Sequence, residues 1–250
     1  MENGKKIALW VTVLFLILVG VRVGLIYRAN HEEGPAKKEM ADGPNLTDDD
    51  VVFYSLHKEH PDSIADERKL IGKTLWVSAG GQLDYYHYAN HHVDYAHPVG
   101  TLRSPEPLII KDVFEQVPPK SGRAVFRIPA GQRHMLLAFT MPNSADPNAV
   151  YGTPIGHFES GVYILLTDQI FFYDDPHKLF KYWGPETLAH IDKHEVVLGM
   201  TENQATMAFG EVLNPSSNST GNRTLDFDND GHPVSVVFEN GKAVKITPDK

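Results

Sequence analysis

Apolar positions fall into four successive patterns along this chain, and each predicts a different kind of structure. Ile7 to Tyr27 is almost continuously apolar over 21 residues, long enough to cross a hydrocarbon core of about 30 Å as a helix. Arg28 to about Asp66 is rich in Glu, Lys, Asp, Gly and Pro, the pattern of a polar tether, with Val51 to Leu56 as its one short stretch able to order. From Leu70 to Tyr173 short apolar runs stand between turn residues: 73–77, 83–88, 108–114, 124–128, 135–139, 161–166 and 169–173. Strands at such intervals predict an antiparallel barrel or sandwich rather than parallel βαβ units.

The last quarter mixes both periods. Asp175-Pro176 predicts a short helix through Tyr182, because Asp caps and Pro suits the first helical position; Gly184-Pro185-Glu186 predicts another, ending near Lys193. Thr201 followed three residues later by Gln204 is a capping box, so a helix is predicted from Glu202, closed by Gly210. Ala205, Ala208 and Phe209 share its face. Two turns do not offset the cost of nucleation, so that face needs a partner. The alternating stretches 224–227, 232–239 and 243–247 supply one, joined by Asp228-Asn229-Asp230-Gly231 and by Asn240-Gly241, a preferred pair for a tight hairpin turn.

The order Gly199-Met200-Thr201-x-x-Gln204, a small-residue helix ending in Phe209-Gly210, Pro215, then Val234-x-Val236-Val237-Phe238-x-Asn240-Gly241-Lys242-x-Val244 resembles the SmpA/OmlA domain of outer-membrane-assembly lipoproteins. The resemblance covers about Glu195 to Thr247 and implies a non-catalytic domain that binds other proteins. A looser resemblance, opened by Leu70-Ile71-Gly72-Lys73-Thr74-Leu75-Trp76-Val77, links the middle region to bacterial SH3-like modules. The expected fold class is therefore α+β: a single N-terminal transmembrane helix (1–28), a tether (29–66), an SH3-like antiparallel β-domain (67–183), and a helix on a three-stranded antiparallel sheet (184–250).

Composition narrows the function. An apolar share of 42% over 250 residues supports real cores. A net charge of −9, without a cluster of Lys and Arg beyond Lys37-Lys38, leaves no footprint for nucleic acid. There is no cysteine, hence no disulfide, thiolate metal site or Cys nucleophile, and no lipid-anchored Cys of the kind the SmpA/OmlA pattern carries. Without an A-x-A-like cleavage site, the apolar run reads as an uncleaved signal anchor, with Ile7, Trp10, Phe15 and Tyr27 in the membrane and Arg22 reaching its interface. Lys5 and Lys6 precede the span and Arg28, Lys37 and Lys38 follow it, a near balance. The expected topology is single-pass in the inner (cytoplasmic) membrane, N-terminus in the cytoplasm, bulk of the chain periplasmic or otherwise extracytoplasmic.

The stretch Asp84 to His97 holds four histidines and two aspartates, the donor types that zinc, copper or nickel accept. His87, His91 and Asp94 are its candidate metal ligands. His87 and His91 stand four apart, which shares a face only on a helix, whereas the flanking pattern reads as strand and loop; the plainer reading is a polar, aromatic-rich surface. Tyr85, Tyr86, Tyr88 and Tyr95 form either core or an exposed shelf for glycan, peptide or a partner protein. Asp174 with Asp175 reads as a helix cap before an acid/base pair, and Glu186, His190 and His194 as surface charge before a metal site. No P-loop, dinucleotide fingerprint or nucleophile elbow occurs, Ser160 included. The expectation is a membrane-anchored extracytoplasmic adaptor or accessory subunit, without cofactor or catalysis, binding a protein of an envelope or membrane complex. A glycan-binding module and a metal-dependent hydrolase centred on His87, His91 and Asp94 are the alternatives.

Overall fold

Strand β5 (Arg133–Thr140) is buried at every position from His134 to Thr140, and the larger sheet is laid out on either side of it. Met135, Leu137 and Phe139 join one apolar cluster with Leu75, Leu108 and Ile110, while Leu136 and Ala138 join another with Tyr86, Val93, Tyr95 and Phe114. A strand covered on both faces reads as continuous hydrophobicity. On one side of it run β4 (Pro107–Gln116), β1 (Thr74–Val77) and the two-residue β8 (Phe171–Phe172). On the other run β6 (Val150–Glu159), β2 (Asp84–Ala89) and β3 (His92–Thr101), and β7 (Val162–Leu165) pairs with the far half of β6. All eight strands are antiparallel to their neighbours. This computed structural model describes residues 22, 47–119, 128–129 and 131–248.

The helices are short: α1 (Asp48–Tyr54), α2 (Ile64–Glu67), α3 (Thr167–Ile170), α4 (Pro176–Leu179), α5 (Pro185–Asp192) and α6 (Glu202–Phe209). The predicted capping box closes α6: the Thr201 hydroxyl accepts from the Gln204 amide nitrogen, and the Gln204 side chain accepts from the Thr201 N–H at 2.9 Å. Its buried residues Ala205, Met207, Ala208 and Phe209 meet Leu225, Phe227, Val236 and Phe238. These last belong to a second antiparallel sheet in the order β12 (Lys242–Pro248), β11 (Val234–Glu239), β10 (Thr224–Phe227), β9 (Val212–Pro215). Glu202 in the first turn of α6 holds the start of β10, accepting from Arg223 Nη2 at 2.6 Å and from the Gly221 N–H at 2.6 Å. Asn240 and Gly241, both at positive φ, make the predicted hairpin turn.

The expected α+β class is corrected by these elements: the chain is mostly β, two antiparallel sheets of eight and four strands with few helices. Neither a small SH3-like domain nor a three-stranded C-terminal sheet describes it. Glycine and proline hid the missing strands. β6 carries Gly152, Pro154 and Gly156, yet Pro154 sits opposite Leu136 where the register shifts, so no regular ladder bond is lost. A Cβ at Gly156 would strike the Ile164 carbonyl oxygen, so β7 can lie against β6 only because position 156 has no side chain. β3 carries Pro98 and Gly100 but lies at the sheet edge, where Pro is tolerated. The predicted 169–173 strand shortened to β8 behind α3, and 124–127 of another lies outside the described residues. The expected transmembrane span also lies outside them except for Arg22, which is helical and exposed; among the described residues no helix is long and apolar enough to cross a membrane.

Residues 49–250 form one compact unit. Its first residues run over the body as a strap. Asp49 accepts from Tyr182 Oη at 2.5 Å, Trp183 Nε1 at 2.7 Å and Asn203 Nδ2 at 2.7 Å. Phe53 meets the Phe180 ring at 5.5 Å. At the strap's far end the Asp168 carboxylate accepts from the backbone N–H groups of Glu59 and His60 and from Tyr173 Oη, at 3.2, 3.0 and 2.7 Å.

Candidate functional site

The two sheets meet along a polar groove of about 750 Å³. β1 contributes Trp76, β2 contributes Tyr85, and the turn between β3 and β4 contributes Arg103 and Glu106; His177, Asp192, His194 and Asp230 come from the C-terminal half. Tyr85 can lie across β3 because position 100 is glycine: a Cβ there would stand 2.9 Å from the Tyr85 hydroxyl. The seam beneath is tied by polar contacts. Gln82 Nε2 donates to the Phe209 carbonyl at 3.3 Å, its Oε1 accepts from the Glu211 N–H at 2.8 Å, and Ser104 Oγ meets Met207 Sδ at 3.0 Å.

Local structure fixes the charges. Asp175 caps α4, accepting from the His177 N–H at 3.0 Å, and Pro176 occupies the first helical position as predicted. That cap aims His177 at two carboxylates, Asp175 at 3.1 Å from Nδ1 and Asp192 at 2.8 Å from Nε2. Burial depresses the His177 pKa, but Asp192 and then Asp175 outweigh it, so the net shift is upward and favours the imidazolium. His194 goes the other way: burial, then the Arg103 charge, lower its pKa, and its buried Nδ1 has no hydrogen-bond partner. Burial raises the Glu106 pKa against the opposing pull of Arg103. Arg103 donates from Nη2 to Asn229 Oδ1 at 3.0 Å and, among the described residues, forms no ion pair with a carboxylate. Arg103 thus lines the groove without a carboxylate in ion-pair contact among the described residues, with Glu106 acting on it at longer range and Asp192 and Asp230 lining the same cavity.

The predicted metal ligands are not brought together. His87 is exposed on β2 with its ring 5.5 Å from Tyr151; His91 lies in the β2–β3 turn at φ 58°, with Nδ1 2.6 Å from Asp112; Asp94, on β3, pairs with His97 at 2.6 Å. Among the described residues no three His, Cys, Asp or Glu side chains are placed to hold a metal ion. The four tyrosines do not make one shelf: Tyr86 and Tyr95 are buried, Tyr88 is half-buried with its hydroxyl on Asp112 at 2.6 Å, and only Tyr85 lines the groove. Tyr95 Oη lies 2.9 Å from Nδ1 of buried His134, whose Nε2 faces the Pro129 carbonyl at 2.9 Å; that carbonyl requires the proton on Nε2, so Nδ1 accepts from Tyr95. His190 pairs with Glu195 at 3.0 Å, and His194 lies beyond the end of α5. The proposed anchor residues Ile7, Trp10, Phe15 and Tyr27 lie outside the described residues.

Sequence reading missed Arg103, Glu106 and the groove itself. The one usable signal was the Asp175-Pro176 cap, which places His177. Comparison with protein-family models, with curated proteins and with solved structures found no match.

Proposed function

We propose that this chain is a non-catalytic binding protein, an adaptor or accessory subunit, that holds a segment of a partner polypeptide in the groove between its two sheets. The observation carrying this reading is Arg103, a guanidinium in a cavity of about 750 Å³ without a carboxylate partner among the described residues. An acidic side chain of the partner fits there, and arginine is a frequent anchor of such interfaces because its fork pairs with carboxylate in two places. Trp76 and Tyr85 offer apolar faces alongside. The groove's histidines are not hydrogen-bonded to any hydroxyl among the described residues, so a histidine-activated hydroxyl nucleophile finds no support there. The apolar run 7–27 supports a membrane anchor, and the SmpA/OmlA resemblance supports a body outside the cytoplasm.

A photo-crosslinking residue at Val99, an exposed position on the groove wall, tests this in intact cells. It should trap one discrete protein adduct that survives gentle solubilisation, whereas the same group at Val162 on β7 should not. Arg103→Ala should reduce the adduct about tenfold or more. A chain that gives no adduct at Val99, or equal adducts at both positions, sinks the proposal.

A further inference from the structure

Under the strap lies a second cleft, of about 300 Å³, distinct from the groove in lining and chemistry. Phe53 and Leu56 of the strap form one wall and Phe171, Phe172 and Met207 the other. The last three are buried members of the two apolar clusters. At its mouth stands Lys58, exposed, whose Nζ donates to the backbone carbonyl of Asp168 and, among the described residues, pairs with no carboxylate. Asp168 itself is occupied by the backbone donors of Glu59 and His60 and by Tyr173, with the His60 ring at 3.2 Å. The site thus combines an apolar slot at the low end of small-molecule pockets, which run from about 300 to 1,000 Å³, with one available ammonium at its rim.

We propose that this cleft binds a medium-chain fatty acid, the hydrocarbon chain lying between Phe53, Leu56 and Met207 and the carboxylate meeting Lys58. The strap is its lid, held at one end by Asp49 and at the other by Asp168. An uncharged apolar ligand would leave Lys58 unused, and a cationic amphiphile would meet it unfavourably; charge complementarity selects the anion. The proposal is independent of the groove, which shares none of the strap residues.

Titration of the full chain in lipid nanodiscs with carboxyl-labelled alkanoates from hexanoate to dodecanoate, with empty nanodiscs as the blank, tests it. Saturable binding above the blank should tighten about fourfold per added methylene, the factor that follows from burying one CH₂, until the slot is full. Lys58→Glu, an exposed change, should weaken decanoate about fivefold or more, the range of a charge-assisted contact, and leave decanol unchanged. Gly80→Leu should block both ligands, since a Cβ at Gly80 meets only the Gln169 carbonyl, at 3.9 Å, and the backbone there admits a side chain. Binding no greater than the blank, a flat chain-length series, or equal loss of acid and alcohol in Lys58→Glu overturns the proposal.

Discussion

Glu67 is wholly buried at the end of α2, with one carboxyl oxygen taking the Thr167 hydroxyl and the other left without a hydrogen-bond partner. Burial raises its pKa from 4.5 to about 7; the Thr167 hydrogen bond pulls back, and the charges of Asp168 and Asp66 add to the rise. Between those two values the folded chain keeps a proton that the unfolded chain gives up, so the contribution of Glu67 to stability is fully present below pH 4.5 and is lost as pH rises through about 7. The loss is on the order of 3 kcal/mol once both forms are ionised. Glu67→Gln should flatten the difference in urea midpoint between pH 5 and pH 8 and make the variant the more stable form at pH 8. A variant whose midpoint changes between pH 5 and pH 8 as the wild type's does would refute the assignment. His134 and His194, both shifted downward mainly by burial, contribute the opposite slope near their own range; they are common to both proteins and cancel in the comparison. Nothing in the sequence marks Glu67, because its burial depends on Thr167, 100 residues away.

At the scale of elements, legibility followed how locally each one is determined. The α6 capping box, the Asn240-Gly241 turn and the Asp175 cap are spelled out within a few residues, and each formed where the spelling placed it. β3, β6 and β9 carry a local spelling of Gly, Pro and Asn that argues against strand, and only β6 also reaches a strand far from it in sequence, pairing with β2 as well as with β5 and β7. The end of α6 shows both levels acting on one residue. Gly210 was legible as a terminator; what required glycine twice over was not. Its φ is 93°, and a Cβ would collide with the Gln82 side chain that caps the helix and joins the two sheets. Gly210→Ala should therefore cost about 2–4 kcal/mol, seen as a lower thermal midpoint. In a Gln82→Ala background part of that penalty should disappear, because only the backbone component remains; strict additivity in the double-mutant cycle would refute the collision.

At the scale of the molecule, the seam and the strap were illegible because their parts are far apart in sequence. Asp49 falls within the stretch predicted as a polar tether, yet its donors Tyr182, Trp183 and Asn203 lie 133, 134 and 154 residues further on. Asp49→Ala removes the acceptor for all three at once and should free the strap while leaving both sheets intact. Cleavage after Phe53 or Tyr54 by chymotrypsin should then quicken by about tenfold or more, the effect of losing about 1.4 kcal/mol of local protection, with little change in the unfolding midpoint of the remainder. Unchanged cleavage would mean that apolar contacts alone hold the strap. The smaller sheet carries a consequence for association. Its outer strands, β9 and β12, end in Pro215 and Pro248, and each proline withholds a donor that an incoming strand would use. Copies of the chain meet a missing donor at the end of each of these edges, which discourages their zipping edge to edge into filaments there.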